Sequence, residues 1–171
     1  MSAIVVCPLS RLVDTVQEFG ALHVVTLVNQ GTLFERPPLV PAPNHLHVPI
    51  HDISEPMDGM VCPAEEHVND FLGFAEKWDR AAPMVIHCFA GISRSTAAAF
   101  SVFCAARPDL DEAEVALRLR QRSPEATPNA RIVAIADEIL GRSGRMVRAV
   151  EKIGRGAEAM EGTVFALRLD E

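Results

Sequence analysis

The sequence predicts an α/β domain, a small central and mostly parallel sheet flanked by helices, with a C-terminal helix and strand extension. Three observations predict it. Apolar runs of strand length occur at residues 3–7, 22–28 and 84–88. Segments with helical spacing of apolar residues separate and follow them. One of the runs, Met84-Val85-Ile86, passes through a short glycine-containing loop straight into a helical stretch. Short parallel strands with helices on both faces are the natural packing for that order.

The elements follow in turn. Residues 3–7 read as a strand ended by Pro8, and Ser10 can cap a helix whose apolar face is Leu12, Val13, Val16 and Phe19. Gly20 stops that helix, and residues 22–28 read as a buried parallel strand. Residues 29–44 carry four prolines and read as a long surface loop. Residues 45–51 alternate, with Leu46, Val48 and Ile50 on one face and His45, His47 and His51 on the other. Three histidines on one face invite a metal reading, but alternation alone supplies no convergent geometry, so a polar strand face is expected and no metal. Pro63 suits a first helical residue, with Glu65 and Glu66 in the first turn and Val68, Phe71, Leu72, Ala75 and Trp78 as core.

After the central loop, a mostly buried helix runs over 95–106, ended by Pro108. Asp111 caps the next, with Glu114 at its third position, to about Arg122. Thr127-Pro128 starts another, which Gly141 ends. This places a first unit at 1–141 and a C-terminal extension at 142–171, packed on the same domain or on a partner subunit. The extension carries Arg142, Arg145, Arg148, Lys152 and Arg155, a short amphipathic helix, and a strand over 163–169. That strand either returns to the sheet edge or pairs with a second copy, making a homodimer.

Composition bounds the function. The chain has 171 residues, enough for one domain with a sizeable core. A net charge of -7 argues against nucleic acid and anionic membrane surfaces as partners, while a local loop can still be positive. No apolar run approaches the roughly 20 residues needed to span a bilayer. Residues 1–6 lack the basic region and apolar length of a secretory signal. Cys7, Cys62, Cys88 and Cys104 have no metal spacing and no C-x-x-C pair, which fits a reducing, cytoplasmic setting.

The chemistry concentrates in His87-Cys88-Phe89-Ala90-Gly91-Ile92-Ser93-Arg94-Ser95. A loop entering a helix N-terminus turns its backbone N–H groups inward and makes a site for a tetrahedral oxyanion. Residues 89–94 are therefore the expected phosphate cradle, with Phe89, Ala90, Ile92 and Ser93 contributing mainly backbone. Gly91 removes a side chain where the backbone approaches the ligand. Arg94 offers a planar fork for two oxygens of one phosphate. The same donors favour the thiolate of Cys88 as nucleophile, and Ser95 can donate its hydroxyl to the sulfur.

This stretch resembles the signature His-Cys-x-x-Gly-x-x-Arg-Ser/Thr of the cysteine-dependent protein tyrosine phosphatase superfamily, matching all five specified positions in a strand–loop–helix context. The compact chain is similar to dual-specificity and bacterial members. The resemblance spans about residues 3–141 and is sharp only at the loop. It implies a cysteine phosphatase-like fold and hydrolysis of phosphate monoesters through a cysteinyl-phosphate, without metal or cofactor. His87 would orient the loop. An aspartate on a separate preceding loop would protonate the leaving oxygen and then activate water. Asp52, 36 residues before Cys88, is the first candidate; Asp58, 30 residues before it, is the alternative. Asn129, in a Thr-Pro-Asn step, either ties its helix to the site or merely begins it. The expected substrate is a phosphorylated protein, phosphotyrosine first and phosphoserine or phosphothreonine besides. The loop interior has no lysine, which disfavours inositol phospholipids. A phosphate-binding module without turnover and an enzyme of small phosphorylated metabolites are the rival readings.

Overall fold

The computed structural model describes residues 2–171. Five strands form one sheet in the order β3-β2-β4-β1-β5. They are β1 (Ala3–Pro8), β2 (His23–Thr26), β3 (His45–His47), β4 (Met84–Cys88) and β5 (Phe165–Arg168). β1, β2, β3 and β4 run parallel, with Val5 beside Val85 and Val24 beside Val85 on the other edge. β5 is antiparallel to β1 and sets Leu167 opposite Ile4. β1 and β4 are buried along their whole length, as continuous apolar runs covered on both faces must be.

The helices are α1 (Leu12–Phe19), α2 (Glu65–Glu76), α3 (Arg94–Ala106), α4 (Glu112–Arg122), α5 (Ala130–Ile139) and α6 (Arg145–Ile153). They divide unevenly. α1 and Val40 of the long loop cover one face, packing Leu12 and Val16 on Val5, Val24 and Val85. The other five helices cover the opposite face, where Phe71, Phe100, Phe103, Leu119, Ile132 and Met146 join Ile4, Val6 and Ile86 in one core. α3 runs through the middle of this layer, and every residue from Arg94 to Cys104 is buried. A helix apolar on nearly all sides belongs in such a position.

Several boundaries depart from the sequence reading. Ser10 does not cap α1: residues Leu9–Arg11 form a 3₁₀ turn and the helix begins without a side-chain cap. Strand pairing of β2 covers only His23–Thr26. β3 stops at His47, one hydrogen bond (Val48 N–H to Thr26 O, 2.9 Å) before Pro49, which has no N–H to continue a ladder. α2 begins at Glu65, not Pro63, and Ala64 N–H donates to His67 Nδ1 (2.9 Å). α5 begins at Ala130, because Thr127 and Asn129 are held by the central loop and the residue before Pro128 is kept out of the helical region. Gly20 does end α1, in the left-handed conformation (φ 62°) that favours glycine.

The basic residues after Gly141 divide in role. The Glu112 carboxylate, buried at the start of α4, accepts from Arg142 (2.7 Å) and from Arg145 (3.1 Å). Arg142 also donates to Cys104 O (2.8 Å). These bonds fasten α6 to α3 and α4.

Candidate active site

Cys88 ends β4, a central strand, and is 2 % exposed. Its Sγ lies 3.1 Å from Ser95 Oγ and accepts the Gly91 N–H at 3.3 Å. Gly91 has φ +71°, and a Cβ there would stand 2.7 Å from Pro8 N and 2.8 Å from Cys7 C. The loop is thus laid directly on the end of β1, and only glycine fits.

Four of the loop carbonyls face outward onto partners. Phe89 O accepts from Leu9 N–H (3.1 Å), Ala90 O from Gly162 N–H (2.8 Å), Ile92 O from Thr127 N–H (2.9 Å) and Ser93 O from Asn129 N–H (3.1 Å). Among the described residues all peptide bonds are trans, so each outward carbonyl turns the following N–H the opposite way. The N–H groups of Ala90, Gly91, Ser93 and Arg94 are thereby aimed into the cradle. Phe89 itself is largely exposed, while Ile92 is half-buried.

Arg94 opens α3 and is 8 % exposed. One terminal nitrogen donates to Ile50 O (2.9 Å), which sets the side chain, while Nε is buried without a partner. A buried donor left unmade costs about 1–3 kcal/mol. A bound oxyanion would satisfy it.

His87 is fully buried beneath the loop. Its Nδ1 faces Cys88 O (3.3 Å), which can only accept, so Nδ1 carries the proton and Nε2 accepts from Thr26 Oγ1 (2.8 Å). The Thr26 oxygen in turn accepts from His45 Nε2 (2.7 Å). This directional chain fixes the His87 tautomer. Burial pushes the His87 imidazole down to about 4 despite the opposing bond to Cys88 O, so the ring is neutral at neutral pH.

Asp52 follows Ile50 on the loop after β3. Its Oδ1 accepts from Ser93 Oγ (2.7 Å) and from Asn129 Nδ2 (3.0 Å). Ser93 therefore contributes its hydroxyl as well as its amide. Asn129 serves both roles raised from the sequence: its Oδ1 caps α5 at Ile132 N–H (3.0 Å), and its Nδ2 holds Asp52 and Ile53 O (3.2 Å). Asp58 lies in an exposed turn closed by Met60 N–H on Met57 O (3.2 Å), away from these contacts. A cleft of about 780 Å³ opens beside Asp52, Ile92 and Ser93, and residues 155–160 form its far wall.

The three histidines of the alternating segment do not converge. His45 bonds Thr26, His47 Nε2 donates to Val28 O (2.8 Å), and His51 Nδ1 accepts from Val61 N–H (2.8 Å). Among the described residues no three His, Cys, Asp or Glu side chains form a metal set. Thr26 and Gly162 carry no local signal in the sequence: each meets the site only through the sheet.

No family model and no curated protein sequence matches the chain. Solved structures do. Human DUSP28 superimposes with a TM-score of 0.62 at 16 % identity, over 88 % of this chain and 95 % of that one. DUSP15 gives 0.61 at 19 %, over 89 % and 92 %. Tk-PTP in its active form gives 0.59 at 24 %, over 79 % and 88 %. The chain has the fold of the dual-specificity-like protein tyrosine phosphatases.

Proposed function

We propose that this chain is a cysteine-dependent phosphatase acting on protein phosphotyrosine, and on phosphoserine or phosphothreonine besides. One observation carries the reading: Cys88 Sγ has Ser95 Oγ and the Gly91 N–H against it, in a loop whose Arg94 keeps a buried Nε without a partner. Cys88 sulfur attacks phosphorus and forms the S–P bond as the bond to the leaving oxygen breaks. Asp52 gives its proton to that oxygen. Asp52 then takes a proton from water, the water oxygen bonds phosphorus, and the S–P bond breaks to release phosphate and the thiolate. Arg94 and the loop amides bear the charge on the equatorial oxygens in both steps. His87 is neutral and holds the Cys88 carbonyl without exchanging a proton with substrate. No metal or cofactor has a part in this scheme.

The near-complete burial of Cys88 supports a phosphoryl group carried on a long stem, and the cleft beside Asp52 supports a peptide behind it. The test is turnover of a phosphotyrosine peptide in EDTA and reductant. Wild type releases phosphate, Cys88→Ser does not, and Asp52→Asn is slower by about 100-fold or more. Near-normal Asp52→Asn turnover transfers the acid role to Asp58. An inert wild type that binds phosphate overturns the reading in favour of a binding module. Preference for small phosphorylated metabolites over the peptide overturns the protein substrate.

A further inference from the structure

The C-terminal segment between α6 and β5 touches the loop at one backbone position. Gly162 N–H donates to Ala90 O at 2.8 Å. The same peptide plane carries the Gly91 N–H, which donates to Cys88 Sγ at 3.3 Å. Gly162, the Ala90–Gly91 peptide and the nucleophile thus form one line. The approach is close on its other side as well: a Cβ on Gly162 would lie 2.5 Å from Gly91 O and 3.3 Å from an Ile92 side-chain carbon. Two anchors fix the segment. Glu125 accepts from Thr163 N–H (2.8 Å) and from the Thr163 hydroxyl, and β5 is zipped to β1 from Phe165 onward. Upstream, Gly156 N–H donates to Thr127 Oγ1 (3.0 Å), and Thr127 N–H holds Ile92 O (2.9 Å).

We propose that Gly162 is a positioning residue for the nucleophile, acting through the Ala90–Gly91 peptide plane, and that the β5 extension serves to deliver it. A carbonyl held by a donor polarises its own amide, so the Gly91 N–H is both aimed and strengthened toward sulfur. Of the four outward carbonyls, Ala90 O is the one whose peptide reaches Cys88, and the only one held from the C-terminal extension. The proposal concerns the same site as the phosphatase reading but does not need turnover to be tested.

The experiment compares wild type with Gly162→Ala and with Thr163→Val, which removes a hydroxyl anchor without adding bulk. Three quantities are measured: iodoacetamide alkylation of Cys88 at pH 6, followed by peptide mapping; tungstate affinity by calorimetry; and kcat and KM on a phosphotyrosine peptide. Gly162→Ala is expected to slow Cys88 alkylation and weaken tungstate each by about tenfold, and to lower kcat more than it raises KM. Thr163→Val is expected to give smaller changes in the same directions, with the melting temperature within a few degrees of wild type. If Gly162→Ala stays folded with alkylation and tungstate binding within twofold of wild type, the proposal falls. If Gly162→Ala does not fold, unchanged values in Thr163→Val have the same consequence. A wild type that binds tungstate without turnover, and loses that binding in Gly162→Ala, leaves the positioning role standing while the phosphatase reading fails.

Discussion

At the residue scale, the site depends on atoms that hold other atoms. Thr26 is a clear case: its hydroxyl stands between two imidazole nitrogens and decides which nitrogen of His87 bears the proton. Thr26→Val keeps the volume and removes the hydroxyl. Buried His87 Nε2 then lacks a donor, at about 1–3 kcal/mol, and turnover falls several-fold while the fold persists. Paired thermal melts and kinetics check this, and an unchanged kcat excludes the chain from any role. Asn129→Ala removes a helix cap and the Asp52 tether together. It is expected to destabilise by about 1 kcal/mol and to lower kcat, and the double variant with Asp52→Asn should be no slower than Asp52→Asn alone. Cys88, Gly91, Arg94 and Ser95 were legible because their chemistry is confined to eight consecutive positions. The family resemblance ranked Asp52 above Asp58, while the bonds of Asp52 to Ser93 and Asn129, 41 and 77 residues away, left no local trace.

At the scale of elements, the loop is held by its carbonyls from three separate segments, Leu9 after β1, the Thr127–Asn129 stretch before α5, and Gly162 before β5. β1 does so by contact as well, through the missing side chain of Gly91. Gly91→Ala forces a Cβ into the Cys7–Pro8 backbone at a φ unsuited to it, so loss of tungstate binding and of turnover by more than 100-fold is expected. Retained binding would show that the loop can move off β1. The Glu112 cluster shows a different dependence. Burial opposes its charge, but the Arg145 and Arg142 hydrogen bonds outweigh it and hold the carboxyl down to about 2, well under its ordinary 4.5. A depressed carboxyl stabilises the fold above its unfolded value and ceases to do so as pH falls through the folded one. Stability should therefore decline as pH falls from about 4.5 through the folded value near 2. Glu112→Gln should flatten that part of a urea-melt pH series and lower stability at pH 7. The sequence pattern located every α-helix and strand, since apolar spacing is local, but neither 3₁₀ turn, at Leu9–Arg11 and Ala42–Asn44. It missed ends such as those of β3 and α5, which are set by a proline and by contacts to the central loop.

Over the whole molecule, acid should act in two stages. His87, pushed down by burial to about 4 from 6.5, makes the unfolded chain the better proton acceptor below pH 6.5, so stability falls first between 6.5 and 4 and then through the Glu112 range. A single smooth loss confined to pH below 4 in the melt series would contradict the buried neutral His87. The sheet order carries a further consequence. β1 lies between β4 and β5, so an early strand is flanked by one from mid-chain and one from beyond residue 164. A ribosome adding about 5–20 residues per second has β1 waiting roughly 10–30 s for β5. Gly162 follows Ala90 by 72 residues, so for roughly 4–14 s of synthesis the Ala90–Gly91 peptide has no Gly162 to hold it, and a nascent or truncated polypeptide holds its thiol in an unfinished cradle. Completion of the cradle is thus timed by synthesis of a segment that follows Cys88 by 74 residues.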